Sequence, residues 1–234
     1  MIKSAEVYEK LKKYAIFDNK ITNNLINKNQ TYTNLFNYRL KKSFKIFRIE
    51  KNRYTFYNDP FLISSRIIWP SYISCLSALN FYKMTAQTSN RMTIIAVKNK
   101  KPIRFSNTII EFIKIKNNNF FGFEKIKYNN FEIFIADKEK SLIDSVLLKK
   151  VSFSEIKDIL CENIKTLNVN KIIRYLKKIN NSSLTKRIGF LLEGLNYDVY
   201  GKLKDNLDLT CTKLDYTKLN KGKKNNKWKL IIND

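Results

Sequence analysis

Three carboxylates in the middle of the chain, Asp137, Glu139 and Asp144, are close enough in sequence to hold a metal ion or exchange protons. On a helix, however, Glu139 and Asp144 point about 140° apart. Asp137 stands where an N-cap is needed, ahead of Leu142, Ile143, Val146 and Leu147, which supply a buried face. The chain has no histidine, which removes the commonest metal ligand and the side chain best suited to proton transfer near neutral pH. No glycine-rich phosphate loop accompanies the acids. Neither catalysis nor a metal nor a cofactor is expected. The abundant chemistry is cationic: 45 Lys and Arg face 20 Asp and Glu, a formal net charge of +25. Clustered Lys and Arg attract phosphates and release their counterions, so a polyanion is the expected partner. The competing reading is a compositional bias that writes lysine at any surface position.

The cations that could read a nucleic acid concentrate near the N-terminus, where residues 1–57 carry 13 Lys and Arg against four acids. Helical spacing over Thr31–Lys42 puts Tyr32, Phe36 and Leu40 inward, leaving Asn34, Asn37, Tyr38 and Lys41 on the opposite face. Such a face can enter a major groove, where Asn pairs with adenine and Lys reaches guanine. Gln30, Thr31 and Thr33 stand at its N-terminal end, placed to meet phosphates or base edges. Lys45, Arg48, Lys51 and Arg53 follow on a hairpin that can lie along the backbone or in the minor groove. Of these, Lys51 and Arg53 are expected near the tip, with Arg48 closing the base. The bland alternative for the whole set is an ordinary solvated surface.

Three helices and a hairpin carry these residues. Residues 3–16 carry Val7, Leu11 and Tyr14 at helical spacing, and Asp18 can cap a second helix bearing Ile21, Leu25 and Ile26. Asn27–Gln30 is a turn, Thr31–Lys42 the third helix, and Phe44–Ile49 and Tyr54–Tyr57 are short strands. That order predicts a winged helix-turn-helix domain over residues 1–60. Asn58-Asp59-Pro60 punctuates the chain. Downstream, a helix is expected from Pro70, then strands Met92–Val97, Thr108–Ile115, Phe121–Ile126 and Phe131–Ile135 in a small, largely antiparallel sheet. Helices resume over 137–149, 153–162, 169–179 and 183–195. The predicted fold class is therefore α+β, with an α+β domain over 61–217 and a lysine-rich arm over 218–234. Trp228 and Leu230-Ile231-Ile232 can pin the end of that arm. Cys75, Cys161 and Cys211 have no motif spacing and suit reduced thiols in the cytoplasm. No apolar run is long enough to span a membrane.

Three segments resemble blocks of the AbiEi family, DNA-binding antitoxins of type IV (abortive infection) toxin–antitoxin systems. They are DPFLISSRIIWPSYISCLSALNFYKMTAQ at 59–87, IADKEKSLIDSVL at 135–147 and LTKRIGFLLEGL at 184–195, in that order. The resemblance implies a transcriptional autorepressor that binds inverted repeats near its own promoter through the N-terminal domain. It also implies an antitoxin opposing a nucleotidyltransferase-like toxin without a stable complex, and inverted repeats require two copies of the protein on the DNA. Lys186 and Arg187, in the third block, would belong to a basic face of the C-terminal domain. Their bland role is to solvate the exposed edge of a packed helix. The rival functions are a basic RNA-binding or ribosome-associated protein, and a plain repressor with no toxin.

Overall fold

The computed structural model describes residues 4–43 and 45–233. The fold is α+β, with helices first, a mixed sheet in the middle and helices again toward the end. The residues fall into two compact units. The first takes the described residues up to Tyr72 together with 90–114 and 125–134; the second takes 73–89, 115–124 and the described residues from Ile135 onward.

The first unit begins with α1 (Ser4–Lys12), β1 (Phe17–Asp18), α2 (Asn19–Ile26) and α3 (Gln30–Lys42), followed by β2 (Phe47–Glu50) and β3 (Arg53–Thr55). The local chemistry accounts for each boundary. The Asp18 carboxylate accepts from the Ile21 N–H and starts α2, while Asn27, left-handed at φ +53°, ends it. The Asn29 side chain then accepts from the Tyr32 N–H and starts α3. Val7 and Leu11, four apart on α1, are buried with Phe17 and Ile46, and Ile21, Leu25, Phe36 and Leu40 pack around them. Each fully buried aliphatic side chain of this kind contributes roughly 1.5–3 kcal/mol. β1 pairs antiparallel with β3, Phe17 opposite Tyr54, which closes a three-stranded sheet in the order β1-β3-β2. At two residues, β1 is too short to leave a pattern in the sequence. The strand expected from Phe44 begins on a residue outside those described and is seen from Phe47.

Asp59 caps α4 (Pro60–Ile67), with Pro60 in the first turn, where its missing N–H costs nothing. The helix expected from Pro70 is instead a strand, β4 (Ser71–Ser74), followed by α5 (Cys75–Phe81). All four β4 residues are buried, so the strand lacks the two-fold alternation that marks a half-exposed one. Cys75, at φ +53°, marks the change of direction. β5 (Arg91–Ala96), β6 (Ile103–Phe105), β7 (Thr108–Lys114), β8 (Phe123–Tyr128) and β9 (Phe131–Ala136) complete a six-stranded sheet ordered β6-β7-β5-β4-β9-β8. The sheet is mixed, which corrects the expectation of a largely antiparallel one. β5 runs parallel to β7, and β4 parallel to β9 with Ile73 opposite Ile135; β6 and β7 are antiparallel. The reason is β6, hidden in the charged run 97–104: it reverses the chain once more, so β7 returns parallel to β5.

The second unit gathers α5, α6 (Lys138–Leu147), α7 (Phe153–Asn163), α8 (Val169–Ile179), α9 (Ser182–Gly194) and the short α10 (Tyr200–Leu203). Leu142, Ile143, Ile156, Leu160, Ile172, Leu176, Ile188 and Leu192 share one core. The lysine-rich end is built into the fold: β11 (Lys223–Asn225) and β12 (Leu230–Ile232) join β10 (Thr212–Lys213) in a small sheet. Trp228 is fully buried, and its indole N–H donates to Glu193 at 2.7 Å. Its ring lies so close to Gly189 that a Cβ there would sit 2.3 Å from it. Among the described residues, no helix is long and apolar enough to cross a membrane.

Candidate nucleic-acid interface

The orientation of α3 is set by a polar contact with α2. The Asn37 amide donates to Asn19 at 2.8 Å, the Asn19 amide donates to Asn34 at 2.7 Å, and Thr22 Oγ1 lies 3.4 Å from both amide atoms of Asn37. Asn37, Thr22 and Thr33 are fully buried. Thus Asn37 lies on the packed side, not on the exposed face the spacing predicted, and Thr33 is buried instead of standing open to phosphates or base edges at the N-terminal end. Tyr32, expected inside, is 43% exposed. Phe36 and Leu40 do pack inward, as expected, but the buried side extends to Asn37 because α2 offers Asn19 and Thr22, and buried polar groups must find polar partners.

The face that α3 does expose carries Gln30, Thr31, Asn34, Tyr38 and Lys41, as expected, together with Arg39 and Lys42. The two added cations sit beside Tyr38 and Lys41 on the last turn, and their type and position were visible in the sequence. Tyr38 is 61% exposed. The Asn34 oxygen also accepts from Gln30 at 3.0 Å, so both of its lone pairs are occupied. That leaves Asn34 to act through its N–H donors and not as the two-way partner adenine requires. No acid interrupts α3.

On the hairpin, the expected roles of two arginines are exchanged. Arg53 is half-buried: its guanidinium donates to Glu50 at 2.7 Å and to the carbonyls of Ile67 at 2.6 Å and Arg66 at 3.2 Å. It fastens the base. Arg48 is exposed, its Nε donating to the Glu50 carbonyl at 3.3 Å. The register explains the exchange. Glu50 and Arg53 face each other across the Lys51-Asn52 turn, and a bulge between Arg48 and Glu50 re-aims the side chains. Asn52, at φ +60°, supplies the left-handed turn residue. Lys51 is exposed at the tip, and Lys45 is exposed with its ammonium 5.5 Å from the Tyr8 ring centre. Lys100 also donates to Glu50, at 2.7 Å. Burial alone would push the Glu50 carboxyl up, but Lys100 and Arg53 together outweigh it and hold the group below its ordinary 4.5.

The carboxylates of the second unit are engaged in structure. Asp137 caps α6 by accepting from the Lys140 N–H, and it also accepts from Tyr175 at 2.7 Å and Lys171 at 3.1 Å. Burial dominates there and raises its pKa. Glu139 accepts from the Asn168 N–H and from Lys171 at 2.9 Å; burial pushes it up, but these partners prevail and lower it. Asp144 is fully buried, pairing with the equally buried Lys140 and accepting from Ser74 at 2.8 Å. Sequence reasoning missed this pair, because nothing in a four-residue spacing shows that both ends lie inside.

Lys186 and Arg187 do not form an exposed basic edge. Lys186 is fully buried and donates to Asp208 and, at 2.6 Å, to the Thr210 carbonyl. Arg187 is 6% exposed and donates to the carbonyls of Lys213 at 2.9 Å and Leu214 at 3.0 Å. The chain returning over 208–214 covers the polar side of α9, a long-range packing event that the helical pattern of 184–195 could not reveal.

Neither protein-family models nor curated proteins match this chain.

Proposed function

We propose that this protein is a sequence-specific double-stranded DNA-binding repressor, with α3 as recognition helix and the β2–β3 hairpin as wing. The observation that carries the reading is the order α1-β1-α2-α3-β2-β3, closed by the sheet β1-β3-β2. This is the order expected of a winged helix-turn-helix domain, and it leaves an acid-free helix face exposed. In this reading Tyr38, Arg39, Lys41 and Lys42 meet the major groove, with Gln30, Thr31 and Asn34 at the entering end. Arg48, Lys51 and Lys45 follow the backbone beside it. Asn37, Thr33 and Arg53 hold the framework and touch no DNA. Binding is the whole of the mechanism: no catalytic step, metal or cofactor is assigned, and the protein works in the cytoplasm.

The antitoxin part of the proposal rests on the resemblance of 59–87, 135–147 and 184–195 to the AbiEi family. It assigns opposition to a nucleotidyltransferase-like toxin to the C-terminal residues, without a stable complex. Lys186 and Arg187 enter that role only by fixing the 208–214 segment. Footprinting on the DNA upstream of the protein's own reading frame tests the repressor reading. Protection of paired inverted repeats supports it, whereas equal protection of unrelated duplexes, or preference for structured RNA, contradicts it. Supplying the protein separately from an independently expressed neighbouring toxin tests antitoxicity; absence of rescue leaves a plain repressor.

A further inference from the structure

Within the first unit, a cavity of about 470 Å³ opens between the end of α1 and the β8–β9 hairpin, and its lining is strongly cationic. Lys13, Arg66, Lys125 and Lys127 line it against one carboxylate, Glu132. That carboxylate already pairs with Lys125 at 2.8 Å. Arg66 is held across the floor, its Nε and Nη2 donating to the Glu132 carbonyl at 3.0 and 2.5 Å. Lys13 and Lys127 have no carboxylate partner among the described residues. A second depression, of about 190 Å³, shares Ile16 and Arg66 in its lining and adds Arg53 and the carboxylate of Asp18.

Cations gathered in a concavity repel one another, and low-dielectric walls focus their field outward. The arrangement suits an anion with several charges in a row, and a planar guanidinium fixed on the floor suits phosphate oxygens. The carbonyl of Arg66 in turn accepts from Arg53, the anchor of the β2–β3 hairpin. One side chain thus ties the groove floor to the base of the proposed wing.

We propose that this groove seats the phosphodiester backbone of the same DNA duplex, as a second contact beside the α3 and wing surface. The proposal rests on the DNA-binding reading above. A strand laid in the groove replaces its counterions at Lys13 and Lys127, adding affinity and salt dependence without adding sequence preference. Both lysines are exposed, so neutralising them leaves the core untouched.

The test is the salt dependence of binding to the footprinted duplex, for the wild-type protein and for Lys13→Gln/Lys127→Gln. A Lys202→Gln/Lys204→Gln control removes the same charge from exposed positions in the second unit. At about 0.9 per phosphate contact in the log–log slope, the groove variant should lose roughly one to two units of slope. Its protected sequence should stay the same, and the control should keep the wild-type slope. An unchanged slope in the groove variant overturns the groove while leaving the repressor reading intact. An equal loss in the control also overturns it, because bulk charge then suffices. A wild-type protein that protects no site removes both proposals. ATP, titrated without DNA, gives the last arm: binding abolished by Lys13→Gln/Lys127→Gln, with the duplex slope unchanged, assigns the groove to a free nucleotide and overturns the duplex contact.

Discussion

Asn37 shows how much one side chain decides here. Its amide bridges Asn19 and Thr22 inside the α2–α3 contact, where an unmatched donor or acceptor is costly. Asn37→Ala strips the partner from two buried groups and should destabilise the protein by about 1–3 kcal/mol. Thermal unfolding followed by circular dichroism should show that loss, with the sequence preference of the folded fraction retained. An unchanged midpoint would contradict the structural role. Tyr38→Ala should do the reverse: its side chain is largely exposed, so stability stays within about 0.5 kcal/mol while affinity for the specific duplex falls. The two residues stand one position apart, and only the contact with α2 tells them apart. Residue types announced a polar, cationic helix; which polar residue is structural depends on a neighbour 15 to 18 positions away.

At the scale of elements, the β2–β3 hairpin is positioned by Glu50, which receives both Arg53 and Lys100. Its carboxyl lies below the ordinary value in the folded protein, so its contribution is complete above pH 4.5 and is lost as pH falls through the lowered value. Amide protection at Arg48–Tyr54, taken relative to the intrinsic exchange rate at each pH, should therefore fall on acidification below pH 4.5 in the wild-type protein. Glu50→Gln should show the lower protection already at pH 7, with little further change on acidification. Equal pH responses in the two proteins would count against the clamp. Helix ends such as Asp18 and Asp137 were legible because caps are local chemistry, and α8 stands where its apolar spacing put it. β1, β4 and β6 were not legible: the first is too short for a pattern, the second is buried on both faces, and the third is masked by lysines. β4 and β6 make the six-stranded sheet mixed, so its topology was lost with them.

For the molecule as a whole, the +25 charge is distributed over surfaces with different tasks. Some cations are structural, including Lys140, Lys186, Arg187 and Arg53; others line the exposed face of α3, the hairpin tip and the groove at Arg66. The C-terminal lysines belong to folded structure, since Trp228 seats against Gly189 in the core of the second unit. Gly189→Ala should expel the indole and shift its fluorescence toward the red, with an unfolding midpoint several degrees lower. An unshifted spectrum, read against Trp69→Phe to remove the other tryptophan, would mean the ring has room to spare. The central claim concerns specificity, because a protein of this charge will hold any duplex at low salt. The most direct measurement is the ratio of its affinities for its own upstream duplex and for a scrambled duplex of equal length, by fluorescence anisotropy at physiological salt. A sequence-specific repressor gives a ratio on the order of 10³ or more, reduced toward one by Tyr38→Ala/Lys41→Ala; a wild-type ratio near one would overturn the repressor reading.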